Sequence, residues 1–220
     1  MPELTYRFAT HADVPAIVAL VESAYRGEES LRGWTSEAHL IGGQRTDPAM
    51  IRETIDRPGS HILLAEEGGE LLVCCEINAP AADGGSPDPK AAIVDVAGAG
   101  GGAQPAAIAD AAMDPIDHGC GPGHSPSGTA YFGMFSVKPT LQQGGYGRRV
   151  LAEAERVARE ELGATAMEMT VIRQRKPLIE WYERRGYVQT GERRPFPYGD
   201  ERFGLPKVDD LEMVVLAKTL

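Results

Sequence analysis

The sequence predicts a mixed α/β (α+β) fold, in which a central sheet of about seven strands is flanked by helices. Short segments rich in β-branched and aromatic residues alternate with segments whose apolar residues recur at helical spacing. Two apolar segments, 61–67 and 70–78, are joined across Gly68 and Gly69, and both turn positions can take positive φ. This pattern predicts a β-hairpin, which makes two neighbouring strands of the sheet antiparallel.

Before the hairpin, the chain is predicted to form one strand followed by helices. Residues 4–10 alternate and contain aromatic and β-branched residues, as strands do. Thr10 and Asp13 then form a capping-box-like start, and apolar residues at helical spacing follow until Gly27. Two shorter helical pieces are predicted at 36–45 and 48–59.

Residues 78–128 interrupt this pattern and are predicted to be an insertion between the third and fourth strands. Gly, Ala and Pro supply 10, 13 and 7 of these 51 positions, and no apolar period is sustained. A short helix is compatible with residues 106–113. The insertion has too few large apolar residues to form a second domain, so residues 1–220 are expected to form a single domain.

After the insertion, the pattern predicts strand, helix, strand, helix, strand and strand. Residues 129–137 are apolar on both faces, as in a central strand. A glycine-rich loop and an amphipathic helix ending at Gly163 come next. The later elements are a buried strand at 164–172, a short helix at 176–186, and two final strands at 187–192 and 211–220.

Charge and composition narrow the classes of partner. The formal net charge of −10 argues against nucleic acid, because binding phosphates requires a basic surface. The apolar runs are far shorter than a membrane span, and the N-terminal residues lack the apolar core of a signal peptide. Three cysteines, of which Cys74 and Cys75 are adjacent, suit a reducing compartment. We therefore expect a cytoplasmic protein with no nucleic-acid or membrane partner.

The glycine-rich loop, KPTLQQGGYGRR at 138–149, places three glycines among four residues directly before a predicted helix. The free N–H groups and the positive dipole end of a helix N-terminus bind anions, and glycines let a phosphate approach those N–H groups. Arg148 and Arg149 add positive charge where the dipole disfavours it, a penalty that a bound anion would reverse. The alternative is a flexible connection that lets the helix pack closely on the sheet.

The loop matches neither a P-loop, which requires Lys followed by Ser or Thr, nor the G-x-G-x-x-G fingerprint. The pattern Gln142-x-x-Gly145-x-Gly147, placed between a strand and a helix, instead resembles the acetyl-CoA loop of the GCN5-related N-acetyltransferase (GNAT) superfamily. A second feature of that family is a short helix with a tyrosine, followed by glycine and an aromatic residue. It corresponds to WYERRGY at 181–187. The order of elements resembles the family over nearly the whole chain.

The resemblance implies a GNAT-like sheet that is mostly antiparallel and is splayed in the middle to admit acyl-CoA. Amides of the loop would bind the pyrophosphate, and the preceding strand would pair with the pantetheine arm. Gly133 fits the bulge that separates the fourth and fifth strands. Many relatives have an asparagine after the fifth strand, but Arg173 and Gln174 stand here. The implied cofactor-binding residues are Phe135, Ser136, Val137, Gln142, Gln143, Gly144, Gly145, Tyr146, Gly147 and Arg148.

The resemblance further implies an N-acetyltransferase that uses acetyl-CoA as acyl donor substrate and an amine that attacks the thioester directly. Tyr182 corresponds to the tyrosine that donates a proton to the sulfur in many family members; the alternative is an aromatic residue that only packs. The N–H of Val137 is expected to stabilise the oxyanion. Glu76, at the end of the third strand, is a candidate general base, and a solvated carboxylate is the alternative.

The acceptor is expected to be an amine-bearing small molecule or peptide. Family members often pair, so the resemblance also suggests a homodimer. Residues 26–40 predict either an acidic rim with an aromatic wall for a cationic amine, or surface charges around a core tryptophan. The residues concerned are Glu28, Glu29, Trp34, Glu37 and His39.

No metal site is predicted, because the acidic, histidine and cysteine residues of the insertion fit no dense zinc pattern. These residues are Asp114, Asp117, His118, Cys120 and His124. Two rival functions come from other classes of protein. One is a non-catalytic CoA-binding or regulatory module with the same fold, and the other is an interaction protein whose insertion binds a partner.

Overall fold

The computed structural model describes residues 3–80 and 128–220. The predicted insertion, its short helix and its metal-type residues lie outside the described residues, apart from the ends of the insertion at 78–80 and 128.

A seven-stranded sheet forms the centre of the molecule, in the order β1-β2-β3-β4-β5-β7-β6. Every neighbouring pair is antiparallel except β4 and β5, which are parallel. The mixed, mostly antiparallel sheet predicted from the sequence is therefore confirmed. The strands are β1 Thr5–Phe8, β2 Ser60–Glu67, β3 Glu70–Asn78, β4 Thr129–Val137, β5 Ala166–Ile172, β6 Val188–Pro195 and β7 Glu212–Thr219.

Helices cover both faces of this sheet. They are α1 Val14–Tyr25, α2 Gly27–Ser30, α3 Pro48–Asp56, α4 Tyr146–Glu160 and α5 Lys176–Glu183. Apolar residues of α1 and α3 pack against Ile62, Leu64 and Cys74, whereas α4 and α5 pack on the other face, where Leu63 and Cys75 lie. Successive side chains of β2 and β3 point to opposite faces of the sheet, so these strands contribute to both cores. For the same reason the thiols of Cys74 and Cys75 lie on opposite faces.

Local signals predicted several element boundaries correctly. Gly68 and Gly69 both take positive φ in the turn between β2 and β3. The carboxylate of Asp13 accepts a hydrogen bond from the backbone N–H of Thr10 at 2.8 Å, immediately before α1. Gly186 takes a φ of 90° after α5, as a helix stop signal predicts.

The prediction of a helix at 36–45 is wrong. This segment consists of turns and a two-residue strand, Ile41–Gly42, which pairs with Leu205–Pro206 in a separate small ladder. Two consecutive glycines weaken helix formation, and Gly43 adopts a left-handed φ of 72°. Pairing with a segment more than 160 residues away therefore determines the local structure.

The sheet opens between β4 and β5. Their pairing covers only three residue pairs and ends at Tyr131 opposite Glu168. Beyond that point the Tyr131 hydroxyl is 3.1 Å from the Thr170 hydroxyl, a hydrogen bond that bridges the start of the gap. The register between β3 and β4 shifts at the same level, and Met134 takes a φ of 47°. The bulge was predicted at Gly133, and the structure places it one residue later, at Met134.

Candidate active site

One cavity lies in the gap between β4 and β5, and a second cavity adjoins it beside the end of β4. The loop cavity, of about 410 Å³, lies between the glycine-rich loop and α5. The inner cavity, of about 130 Å³, lies beneath α1 and α3 and contains Glu76. Five residues border both cavities, so the two are neighbours through the splayed sheet: Tyr25, Phe135, Arg175, Leu178 and Tyr182.

Three residues at the start of α4 border the loop cavity: Gly145, Gly147 and Arg148. Gly145 is the N-cap of the helix, and the first helical hydrogen bond runs from the Arg149 N–H to its carbonyl at 3.3 Å. The amides of residues 146–148 therefore precede any possible helical acceptor and have no backbone partner within the described residues. Such a row of free N–H groups suits the diphosphate of a CoA ester.

The backbone of this loop depends on left-handed residues. Gly145 takes a φ of 83°, and a side chain there would meet nothing within 4 Å. Gln143 also takes a positive φ, of 75°. The first turn of α4 contains no acidic residue, and the exposed Arg148 borders the cavity. The charge at this end of the helix is therefore positive, as an anion site requires.

Gln142 has a role in the structure that the sequence did not reveal. Its side-chain oxygen accepts a hydrogen bond from the Trp34 N–H at 2.9 Å, and its amide nitrogen donates to the Thr35 hydroxyl at 2.8 Å. The same nitrogen lies 3.3 Å from the carbonyl of Val137. Gln142 thus joins the loop to the segment after α2 and to the end of β4.

The structure divides the predicted cofactor-binding residues into two groups. Phe135, Val137, Gln142, Gln143, Gly145, Gly147 and Arg148 border the loop cavity, whereas Ser136, Gly144 and Tyr146 do not. The backbone N–H of Gly144 donates to the carbonyl of Leu141 at 3.1 Å. The backbone N–H of Gln142 donates to the carbonyl of Pro139 at 3.4 Å. The amides of Gln142 and Gly144 are therefore engaged by carbonyls of the loop itself.

The open edge of β4 presents backbone groups to the cavities. The N–H of Lys138 donates to β3 at the carbonyl of Leu72, so the peptide groups of Val137 point away from β3. Consistent with this, the Val137 carbonyl accepts from Gln142, and the Phe135 carbonyl accepts from the Tyr25 hydroxyl at 2.8 Å. The N–H of Val137 is therefore directed towards the gap, where a thioester oxygen could accept it.

Tyr182 borders both cavities and is only 4% exposed. Burial, its largest influence, raises the pKa of the phenol well above the usual range. Its ring packs edge-on against Trp181 and Tyr187, and its hydroxyl forms no hydrogen bond with the described residues. The phenol is therefore fixed in place, protonated at neutral pH, and without a competing partner.

Glu76 lies on β3 at the floor of the inner cavity and is 3% exposed. Burial raises the pKa of its carboxyl group above the ordinary value, although Arg57 at 3.6 Å and the Ser60 hydroxyl at 3.4 Å partly compensate. The solvated carboxylate considered as an alternative is thus excluded. A buried carboxylate with a raised pKa is suited to accept a proton.

Neither interpretation of residues 26–40 holds for Glu37, whereas Trp34 borders the loop cavity. Glu37 is buried and forms ion pairs with Arg26 at 3.0 Å and Arg175 at 2.6 Å. Burial acts to raise the pKa of Glu37, but the arginines outweigh it, so that pKa is lowered. Trp34 is 38% exposed and therefore does not belong to the core. An acidic rim for a cationic amine does not form around Glu37.

Three residues of the site were missed from the sequence: Tyr25, Arg45 and Arg175. Both guanidinium groups lie over the Tyr25 ring, at 5.2 and 5.9 Å from its centroid. Tyr25 ends α1, and the arginines lie in segments without regular structure before α3 and α5. No motif marks these positions, so only the fold brings them together.

The chain matches one known family over most of its length. The sequence model of the Acetyltransferase (GNAT) family matches residues 28–187, which is well over half of the chain. The chain belongs to the GNAT acetyltransferase family. A search of curated proteins finds no match.

Solved GNAT structures share the fold over almost their whole length. A candidate phosphinothricin N-acetyltransferase is 16% identical, with a TM-score of 0.59 and 99% of both chains covered. The ribosomal-protein-alanine N-acetyltransferase of Brucella melitensis is 17% identical, with a TM-score of 0.57, 98% of this chain and 99% of that chain covered. The yncA structure from Salmonella typhimurium, solved with its cofactor acetyl-CoA, is 18% identical, with a TM-score of 0.57, 99% of this chain and 94% of that chain covered.

Within 3–80 and 128–220, no group of three or more His, Cys, Asp or Glu side chains is placed to hold a metal ion. In the same ranges, no helix is both long and apolar enough to span a bilayer.

Proposed function

We propose that this protein is an N-acetyltransferase that transfers the acetyl group of acetyl-CoA to an amine by direct attack on the thioester. One observation carries the proposal. A cavity bordered by free helix N-terminal amides adjoins, through the splayed sheet, a second cavity with a buried carboxyl group. The first suits a diphosphate, and the carboxyl group of the second can accept the proton that an attacking amine must lose.

Each step of the transfer has a candidate group in this chain. Glu76 accepts the proton of the attacking amine, directly or through water, because most amines are protonated at neutral pH. The Val137 N–H donates to the oxyanion of the tetrahedral intermediate. Tyr182 donates its proton to the leaving thiolate, and the raised pKa of the phenol keeps that proton available.

Two features support the assignment of the loop cavity to acetyl-CoA. Gly147 borders the cavity, and side-chain atoms of Phe135, Trp181 and Val137 lie 3.5 to 3.7 Å from where its Cβ would be, so the start of α4 packs closely on β4 and α5. Arg148, Arg184 and Arg185 border the same cavity and supply positive charge for phosphates.

The test measures thiol release from acetyl-CoA by the purified chain with a panel of amines, including amino acids, polyamines, aminoglycosides and peptides with free N-termini. We expect acceptor-dependent release well above hydrolysis without acceptor for at least one class. A non-catalytic CoA-binding module is the second candidate. It would bind acetyl-CoA in calorimetry and leave the whole panel unreacted.

Four further expectations from the sequence stay predictions. They are a single domain spanning residues 1–220, a cytoplasmic location, a homodimer, and the absence of a metal requirement. Gel filtration with light scattering measures the dimer, and an unchanged rate in the presence of a chelator is the outcome expected if no metal takes part.

A further inference from the structure

The inner cavity has an excess of positive charge, although the whole chain has a formal net charge of −10. Three arginines and two carboxyl groups border it: Arg26, Arg45, Arg175, Glu37 and Glu76. Glu37 is engaged by Arg26 and Arg175 together, so one carboxylate neutralises only one of these two cations. Glu76 has its own cationic neighbour, Arg57, which lies outside the cavity lining.

Arg45 is the cation of this cavity that is least engaged by the protein. Its guanidinium lies over the ring of Tyr25, and it forms neither an ion pair nor a side-chain hydrogen bond with residues in the described ranges. It borders the inner cavity together with Glu37, Glu76 and Tyr131. The side chain is only partly buried, so a ligand can reach it.

Arg26 adds a second observation of the same kind. The residue is 6% exposed, and its Nε and Nη2 atoms have no hydrogen-bond partner in the part of the chain that the structure describes. Buried guanidinium nitrogens are seldom left without an acceptor, because the desolvation cost is then uncompensated. The cavity therefore has more cationic donor groups than its own acceptors satisfy.

We propose that the acceptor carries an anionic group close to its amine, as a free amino acid does, and that Arg45 binds this anion. This inference rests on the proposed function and names its substrate class. The amine would lie towards Glu76 and the anion towards Arg45, both of which border the inner cavity. Polyamines would meet the surplus of arginines unfavourably, and a peptide N-terminus offers no carboxylate on the same α-carbon.

The size of the inner cavity agrees with a small acceptor. About 130 Å³ is well below the roughly 300 Å³ at which pockets for drug-sized ligands begin. A compact molecule in which the amine and the anion are separated by one or two carbon atoms fits this space better than a long polyamine or an aminoglycoside.

The experiment compares each free amino acid with its own amide, which keeps the amine and side chain but removes the negative charge. Leucine with leucinamide and methionine with methioninamide form such pairs, and 1-aminoethylphosphonic acid tests whether another anion can replace the carboxylate. We expect kcat/KM for the acid to exceed that for the amide by about tenfold or more. The amide has the less basic and more often neutral amine, so intrinsic reactivity would give the opposite order.

Arg45→Gln provides the residue-level test, with Arg52→Gln on the exposed side of α3 as the matched control. We expect Arg45→Gln to raise KM for the acid by about tenfold or more while changing KM for the amide little. Arg52→Gln should keep the preference for the acid. If Arg45→Gln lowered kcat/KM equally for the acid and the amide, the proposed role of Arg45 in binding the anion would be overturned.

Calorimetric binding of the same pairs, in the presence of CoA, separates this inference from the proposed function. Acetyl transfer with equal kcat/KM for acid and amide keeps the acetyltransferase and rejects the anionic acceptor. Tighter binding of the acid without any transfer keeps the anionic ligand and rejects the enzyme. If no member of any pair binds or reacts, the inference is rejected. The wild-type comparison requires no variant to fold.

Discussion

Glu76 is a carboxyl group whose burial is only partly compensated. Its ion pair with Arg57 is long, at 3.6 Å, and desolvation dominates, so its pKa in the folded protein lies above the ordinary value of 4.5. The folded protein therefore holds this proton at a pH where the unfolded chain has released it. The resulting stability is fully present below the unfolded pKa and is lost as the pH rises through the folded pKa.

Replacement of this carboxyl group should separate catalysis from stability. Glu76→Gln is expected to lower kcat/KM by about 100-fold or more and to remove the acid limb of its pH profile. The advantage of the wild type over Glu76→Gln in unfolding free energy should decrease as the pH rises, which urea titrations at several pH values measure. Glu70→Gln, at the exposed start of the same strand, is the control. An unchanged acid limb in Glu76→Gln would assign the base elsewhere.

Removal of the Tyr182 hydroxyl should affect the chemical step alone. Tyr182→Phe is expected to lower kcat by about 100-fold or more and to leave the Kd for acetyl-CoA unchanged, because the ring remains packed. Steady-state kinetics and calorimetry measure the two quantities. Tyr187→Phe removes another buried hydroxyl, one outside both cavities that bonds to Glu155, and should retain kcat. Full activity in Tyr182→Phe would leave this tyrosine with a packing role only.

At the level of single residues, the sequence pointed to those cavity-bordering residues that lie in recognisable patterns. Tyr182 and Gly145 belong to short motifs with a known order of elements, and Glu76 follows from the end of a clear strand. Arg45 and Tyr25 lie in no motif, and the ion pairs of Glu37 join residues up to 138 positions apart. Such contacts depend on tertiary structure, which the local pattern does not contain.

Helix α4 is the element on which donor binding is proposed to depend. It has left-handed glycines on either side, Gly145 before its first residue and Gly163 shortly after its last. Neither position has an atom within 4 Å of where a side chain would begin. Only Gly145 borders the loop cavity.

These two glycines form a matched pair of test positions. Gly145→Ala and Gly163→Ala should each cost about 1 to 2 kcal/mol of stability, because both place a Cβ in a left-handed conformation. Gly145→Ala alone should also weaken acetyl-CoA binding, by about tenfold or more, since its Cβ occupies space beside the free amides. Thermal unfolding measures the first effect and calorimetry the second. Equal Kd values for the two variants would argue against binding at this helix end.

At the level of elements, helices and strands were predicted correctly where local sequence determines them. The prediction was wrong where pairing with a distant segment determines the structure. The hairpin at Gly68 and the helix opened by Thr10 formed as predicted. The segment 36–45 became turns and a two-residue strand because Leu205–Pro206 pairs with it. The bulge in β4 uses Met134 in a left-handed conformation, a position that residue preferences would not select.

At the level of the whole molecule, the thermal unfolding temperature tests acetyl-CoA binding without any acceptor. A ligand at about 100 times its Kd stabilises the folded state by about 2.7 kcal/mol. For a chain of this length that should raise Tm by roughly 5 to 10 °C. Acetyl-pantetheine, which lacks the diphosphate, should give a smaller shift at the same concentration. The absence of a shift with acetyl-CoA, or equal shifts for the two compounds, would remove the diphosphate from the interpretation.

The hydrogen bond from the last residue of α1 to the carbonyl of Phe135 has a wider consequence. Tyr25 belongs to the core formed with α3, yet its hydroxyl holds the free edge of β4 at the point where the sheet divides. The width of that opening is thus governed from outside the sheet, by how the first helix rests on its neighbours. Substitutions in α1 that touch neither cavity are therefore expected to change the width of this gap, with every group of the proposed reaction left in place.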